Sequence, residues 1–328
     1  MSNPNWPAPR TIALPARANQ PAINLAVYEA GAGPAVVFCH GFPELAYSWR
    51  HQLPAVAAAG FRAIAPDQRG YGGSSAPAAV SDYGIGELAG DLVGLLDALN
   101  IERAIFVGHD WGGFIAWAMP VMYPERTAGV IGVCTPYIAF PPLAQLRALV
   151  GGKDERFYVL WFQEPGRAEA AMDPKARLIF ERLMRAPIDP VVAASQMMAS
   201  GELDMNPFRR IEELPANTPS IVTPAELDTY VQTYQRTGFR GGINWYRNIE
   251  RNAREHPEIG VNKLSLPCLM ITAGWDMALR PEMAAGMPAL CSDLEMHNIE
   301  KAGHWVQQER PNELNDKIID WLKRRFAN

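Results

Sequence analysis

The sequence predicts an α/β fold built on a mainly parallel, doubly wound sheet with an inserted helical cap. Three observations carry this. Short continuous apolar runs alternate with helix-length segments at both ends of the chain, as buried parallel strands and their crossover helices do. The apolar run Ala104 to Val107 enters Gly108-His-Asp-Trp-Gly-Gly113 and leaves it in a second apolar run, Phe114 to Met122, which reads as strand, sharp turn and helix. From about Tyr137 to Asn262 strand-like runs become few and short helices with loops take over. The chain therefore divides into a core of residues 1–136 and 263–328 and a cap of residues 137–262, over which access to a site would run.

A chain of 328 residues suits one large α/β domain with an insertion, or two domains. Thirty basic and 35 acidic residues leave a net charge of −5. That mild acidity argues against nucleic acid or an anionic membrane as partner. The cysteines are Cys39, Cys134, Cys268 and Cys291, without CxxC or Cys/His ligand spacing. They read as buried free thiols, not as a metal site or a disulfide framework. The first residues hold no apolar signal core, and no apolar run approaches ~20 residues. A cytoplasmic protein is expected.

Taken in order, Met1 to Pro9 reads as a proline-rich arm, and Thr11 to Leu14 and Ile23 to Glu29 as a strand pair. Ala35 to Cys39 is a buried strand that delivers His40-Gly-Phe-Pro-Glu44, where Phe42–Pro43 is a candidate cis bond. Ser48 to Ala59 reads as helix despite Pro54, and 61–67 as strand. Asp67 and Arg69 then tie the following loop together. Ile85 to Leu99 places Leu88, Leu92, Leu95, Leu96 and Leu99 on one helical face. Gly129 to Cys134 is the next strand. In the cap, Asp173-Pro174 and Asp189-Pro190 read as helix starts, and Thr223-Pro-Ala-Glu226 as a capping box. Strands 267–276 and Leu294 to Ile299 and a helix from Pro311 to Arg325 complete the core.

The turn at Gly108 to Gly113 is where the chemistry concentrates. A Gly-x-nucleophile-x-Gly frame holds its central residue on a strained elbow, and glycines at both ends avoid collision where strand and helix cross. Serine usually occupies the centre; here it is Asp110. A serine that attacked saturated carbon would form an ether, which water does not readily cleave. A carboxylate forms an alkyl ester, which a hydrolytic apparatus can release. Asp110 at the elbow therefore points to displacement at saturated carbon followed by ester hydrolysis. The blander alternative is an aspartate that caps the next helix.

Asp110, Asp276 and His304 follow one another as nucleophile, acid and histidine, each after a strand. That is the α/β-hydrolase order. Loops at the carboxyl edge of a parallel sheet converge. Of the six histidines, His304 follows the last strand and is the base; His40 and His109 read as structural. Asp276 orients His304. Backbone N–H groups of Phe42 and Trp111 are the expected oxyanion hole.

Together HGFPE, GHDWGG, FQEPG (162–166), GFRGGINWYRN (238–248) and GHW (303–305) resemble the soluble epoxide hydrolases of the α/β-hydrolase superfamily. The resemblance covers nearly the whole chain; NWYRN is its most specific part, since HGxP and GHDWG also occur in haloalkane dehalogenases. It implies two cap tyrosines above the nucleophile, here Tyr158, four residues before the Phe of FQEPG, and Tyr246 of NWYRN. Phenols, with pKa ~10, stay protonated at neutral pH yet can protonate a developing alkoxide. Tyr158 also falls in a helical stripe with Trp161 and Phe162 that suits plain core. The implied reaction converts a small apolar epoxide and water to a vicinal diol without metal or organic cofactor, and the implied assembly is a monomer or a homodimer. Phe42, Trp111, Phe114, Phe162, Met277 and Trp305 are candidate apolar walls. The chain has no room for the additional phosphatase domain of vertebrate members. The rival readings are a haloalkane dehalogenase, against which Phe42 and the tyrosines argue, and a non-catalytic protein that binds an apolar ligand.

Overall fold

The computed structural model describes residues 6–17, 20–199 and 203–327. Eight strands form one sheet: β1 (Arg10–Leu14), β2 (Ile23–Ala30), β3 (Ala35–Cys39), β4 (Arg62–Pro66), β5 (Ala104–His109), β6 (Thr127–Val133), β7 (Cys268–Ala273) and β8 (Leu294–Ile299). Their order is β1-β2-β4-β3-β5-β6-β7-β8. Only the pairings β1/β2 and β2/β4 are antiparallel; from β4 to β8 every pairing is parallel. The uninterrupted apolar character of β3 follows from burial on both faces. Val37 and Cys39 pack on one side with α2 (Ile85–Ala98) and α3 (Trp111–Met122). Val36 and Phe38 pack on the other with α1 (Gln52–Ala58) and the last helix of the chain.

Two local expectations change. The segment Ser48 to Ala59 is not one helix; a 3-10 turn, Ala46–Trp49, precedes α1. Pro54 is the third residue of α1, where its missing N–H breaks no intrahelical bond. Of the expected N-terminal arm, Met1 to Asn5 lie outside the described residues. Trp6 packs down against Tyr28 and Tyr47, with ring centroids 4.7 and 5.5 Å away.

Between β6 and β7 lie α4 (Leu143–Leu149), α5 (Tyr158–Trp161), α6 (Arg167–Met172), α7 (Ala176–Leu183), α8 (Pro190–Ala199), α9 (Pro224–Thr237), α10 (Arg240–Arg247) and α11 (Ile249–Glu255). Thr223 and Glu226 form the capping box of α9, and Glu226 also accepts from Arg50 Nε at 2.6 Å. Asp189 accepts from Val191 N–H at the start of α8. Asp173 departs from its expected role. It opens a 3-10 turn and uses its carboxylate on Phe239 N–H, just before α10. Ser48 bonds Tyr230 at 2.9 Å, and Tyr234 donates to the Glu44 carbonyl at 2.9 Å, so α9 is tied to the loops of the sheet. After β7 come α12 (Met287–Leu290), α13 (Val306–Glu309) and α14 (Pro311–Phe326). Among the described residues no helix is long and apolar enough to cross a membrane.

Candidate active site

Four loops at the carboxyl ends of β3, β5, β7 and β8 carry His40 to Glu44, Asp110, Asp276 and His304. The elbow is as tight as its glycines require. A Cβ on Gly108 would stand 2.1 Å from the Gly112 carbonyl oxygen, and one on Gly112 2.0 Å from that of Cys39. Asp110 has φ 51° and ψ −123°, strained for a residue with a side chain. Its carboxylate makes no capping bond to α3. Instead Oδ1 accepts the Phe42 N–H at 2.8 Å, and the Asp110 carbonyl accepts Thr135 Oγ1–H at 2.8 Å. The blander alternative for Asp110, a helix cap, is thereby set aside. The Phe42–Pro43 bond is cis. Trp111 is the first residue of α3, so its N–H is one of the amides free of intrahelical partners.

His304 joins the two aspartates. Nδ1 lies 2.8 Å from Asp276 Oδ2, and Nε2 lies 3.6 Å from Asp110 Oδ2. Asp276 is buried, and its other oxygen accepts the N–H groups of Ala278 and Leu279 at 2.8 and 2.9 Å. Burial alone would raise its pKa, but His304 and these amides outweigh it and bring the group down to about 2. For His304 burial acts downward, yet the two carboxylates hold the imidazole well above its usual range. His109 is the last residue of β5 and is buried. It bonds Glu44 Oε2 through Nδ1 at 2.8 Å and the His304 carbonyl through Nε2 at 2.7 Å. His40 accepts the Gln68 N–H at 3.0 Å. Asp67 accepts the amides of Ala46 and Gly73, and Arg69 grips Asp91 at 2.7 and 2.5 Å. These residues hold loops in place, as expected of them.

Tyr158 and Tyr246 face the same cavity as Asp110 and His304, about 470 Å³ in volume. Their ring centroids are 5.6 Å apart, edge to face. Burial first, and then the charge of Asp110, raises the pKa of Tyr158; burial, the neighbouring Tyr158 and Asp110 raise that of Tyr246. Both phenols therefore keep their protons. The two motifs that carry them are bonded together. Gln163 Nε2 donates to the Tyr246 carbonyl at 3.0 Å, and Arg247 Nε to the Phe162 carbonyl at 2.8 Å. Close approach of α10 to the sheet loops depends on Gly241 and Gly242. A Cβ on the first would meet the Gly70 carbonyl oxygen at 2.0 Å, and one on the second Phe42 Cδ2 at 2.5 Å.

The six expected walls divide. Phe42, Met277 and Trp305 line the cavity, joined by Leu183, Ile188 and Phe208. Trp111, Phe114 and Phe162 stand in a second layer. Trp111 packs on Tyr246 at 5.1 Å, Phe114 on Trp111 at 5.5 Å, and Phe162 on Phe42 and Tyr246 at 5.5 and 5.1 Å. In the stripe Tyr158, Trp161, Phe162, the last two are buried, and only Tyr158 faces the cavity.

Comparison with known proteins identifies the fold and the family. Residues 34–311 match the family model of the alpha/beta hydrolase fold. Epoxide hydrolase A of Mycobacterium tuberculosis is 42% identical over 92% of this chain and 94% of its own length. The chain belongs to the epoxide hydrolase family. The epoxide hydrolase A structure from Mycobacterium thermoresistibile superposes with a TM-score of 0.84 at 40% identity, covering 97% of this chain and 98% of that one. An epoxide hydrolase from an endophytic Streptomyces gives 0.85 at 34% identity, covering 98% and 96%. Bifunctional epoxide hydrolase 2 of Sus scrofa is 38% identical over 93% of this chain, which spans only 54% of that relative.

Three residues of this epoxide hydrolase fold escape a reading of the sequence alone. Thr135 holds the Asp110 carbonyl. Glu44 accepts the Gly41 N–H at 2.8 Å besides its bond to His109. Glu309 accepts the amides on either side of His304. Each acts on backbone or on another side chain's position, so none has a spacing of its own. The one available signal is at Glu44, an acid that closes HGFPE and is followed by Leu45 and Ala46; Glu309 sits in a polar run after Gln307 and Gln308.

Proposed function

We propose that the protein hydrolyses an epoxide to a vicinal diol through an alkyl ester on Asp110. The reading is carried by one observation. The Asp110 carboxylate, free of any capping role, sits between the Phe42 N–H and His304 in a cavity that two protonated tyrosines share. Tyr158 and Tyr246 donate to the epoxide oxygen, which is a poor leaving group until polarised. Asp110 attacks a ring carbon; the carbon–oxygen bond breaks, and a tyrosine supplies the proton to the alkoxide. Esterification removes the charge of Asp110, and the imidazolium of His304 then returns its proton to the tyrosinate. Neutral and oriented by Asp276, His304 takes a proton from water as that water attacks the ester carbonyl. The N–H groups of Phe42 and Trp111 hold the oxyanion. Collapse frees the diol and restores the carboxylate. No cofactor takes part in these steps. Helices from 137 to 262 act as the cap that closes the cavity, over a core of 1–136 and 263–328.

A single turnover in ¹⁸O-water with enzyme in excess tests this. Label in the Asp110 carboxylate and an unlabelled first-turnover diol are expected. Labelled diol with an unlabelled Asp110 peptide means that water attacks the epoxide directly. Halide release from a haloalkane without diol formation from any epoxide restores the dehalogenase reading.

A further inference from the structure

We propose that Glu309 is a positioning residue for the second half of the reaction, clamping the turn that presents His304. The inference rests on the function proposed above. The two oxygens of Glu309 serve different donors: Oε2 accepts Gly303 N–H at 2.6 Å, and Oε1 accepts Trp305 N–H at 2.9 Å. These are the amides immediately before and after His304. An ordinary capping carboxylate reaches back to the single N–H at a helix start. Glu309, at the far end of the four-residue α13, takes that amide, of the N-cap Trp305, and also the one two residues earlier.

A third bond completes the restraint. The His304 carbonyl accepts His109 Nε2–H at 2.7 Å. The His304 carbonyl and the Trp305 N–H belong to one peptide plane, which is thus held at both edges, and the Gly303 N–H pins the plane one residue before His304. Asp276 holds the imidazole itself. Glu309 also lines the cavity. Its bonds to backbone N–H are charge-assisted, so they are strong for their number.

His304 has no part in the attack of Asp110 on the epoxide; its task is to activate water against the ester. Loosening the clamp therefore slows ester hydrolysis and moves alkylation less. The Glu309→Gln variant keeps the shape but turns an N–H₂ group toward one amide, so one acceptor is lost. Glu309→Asp keeps the charge and shortens the reach, and it serves if the glutamine variant does not accumulate as folded protein.

The probe is whichever of a set of aromatic and aliphatic epoxides the unmodified chain turns over fastest. After rapid mixing with excess epoxide and acid quench, the Asp110 peptide is weighed to give ester occupancy with time. Glu309→Gln is expected to lower the hydrolysis rate roughly 10-fold to 100-fold, so that ester accumulates at steady state. Glu309→Asp should fall between it and the unmodified enzyme. A purely structural role would lower the melting temperature and leave the ratio of the two half-reactions unchanged; that result overturns the proposal. If the unmodified enzyme never carries an ester on Asp110, the proposed function itself fails, and the role of Glu309 falls with it.

Discussion

His304 faces Asp110 across 3.6 Å while holding Asp276 at 2.8 Å. The longer distance exceeds a normal hydrogen bond. It suits attraction between an imidazolium and a carboxylate, and it leaves Nε2 free to serve a water once Asp110 has been alkylated. His304→Gln should then retain alkylation and stall at the ester. Turnover is expected to fall by about 10²-fold to 10⁴-fold, with the Asp110 peptide found almost wholly esterified. An enzyme that stalls before ester formation would show that His304 acts on the first step instead.

The tyrosine pair makes the opposite prediction. Tyr158 and Tyr246 are kept protonated by burial and by Asp110. On the proposed mechanism, removing one hydroxyl leaves the other to support the epoxide oxygen. Tyr158→Phe and Tyr246→Phe are each expected to slow alkylation about 10-fold to 100-fold, and the double variant more, with hydrolysis of preformed ester little changed. Rapid-quench measurement of ester formation separates these outcomes. Loss of hydrolysis with intact alkylation would remove the tyrosines from their assigned role.

The Asp276–His304 pair also contributes to stability in a defined pH window. Asp276 lies at about 2 against an ordinary 3.8. Its contribution is therefore complete above that ordinary value and is lost as pH falls through about 2. The shift corresponds to roughly 2 kcal/mol. His304 is raised above 6.5, so its contribution is complete below 6.5 and is lost as pH rises through the higher folded value. Urea unfolding of the unmodified chain and of Asp276→Asn at about pH 6 and about pH 3 isolates the acid arm. The unmodified chain should lose more stability across that interval than the variant. Equal losses would place the acid sensitivity elsewhere.

Where a function depends on a backbone or on an apolar face, the sequence was legible. β3 and β8 occupy the residues that their apolar or alternating runs indicate, because burial imposes a period on side chains. The elbow and the order Asp110, Asp276, His304 follow from strand ends. The cap tyrosines came from resemblance, since nothing in the periodicity of 158–162 separates Tyr158 from its buried neighbours. Illegible were the bonds between side chain and distant backbone: Asp173 to Phe239, Glu309 to the His304 turn, Thr135 to Asp110. Such bonds need one residue at each end and leave no pattern. The layering of Phe114 and Phe162 behind the cavity walls likewise depends on packing angles that composition does not carry.

Gly242 links α10 to the candidate site through steric room alone. It lies on α10, four residues before Tyr246, and a Cβ there would meet Phe42 Cδ2 at 2.5 Å and Tyr71 Oη at 2.4 Å. Both neighbours are buried, and Phe42 supplies the N–H that holds Asp110. Neither can yield without moving the site, so α10 must lift. Gly242→Ala is therefore expected to destabilise the fold by about 1–3 kcal/mol through overpacking. Because lifting α10 carries Tyr246 away from Asp110, alkylation should slow by more than ester hydrolysis, at temperatures where the variant remains folded. Thermal unfolding followed by rapid-quench kinetics reads both effects on one preparation. Lower stability with an unchanged ratio of the two half-reactions would mean that α10 tolerates the methyl group without displacing Tyr246, and that the close approach at Gly242 serves packing only.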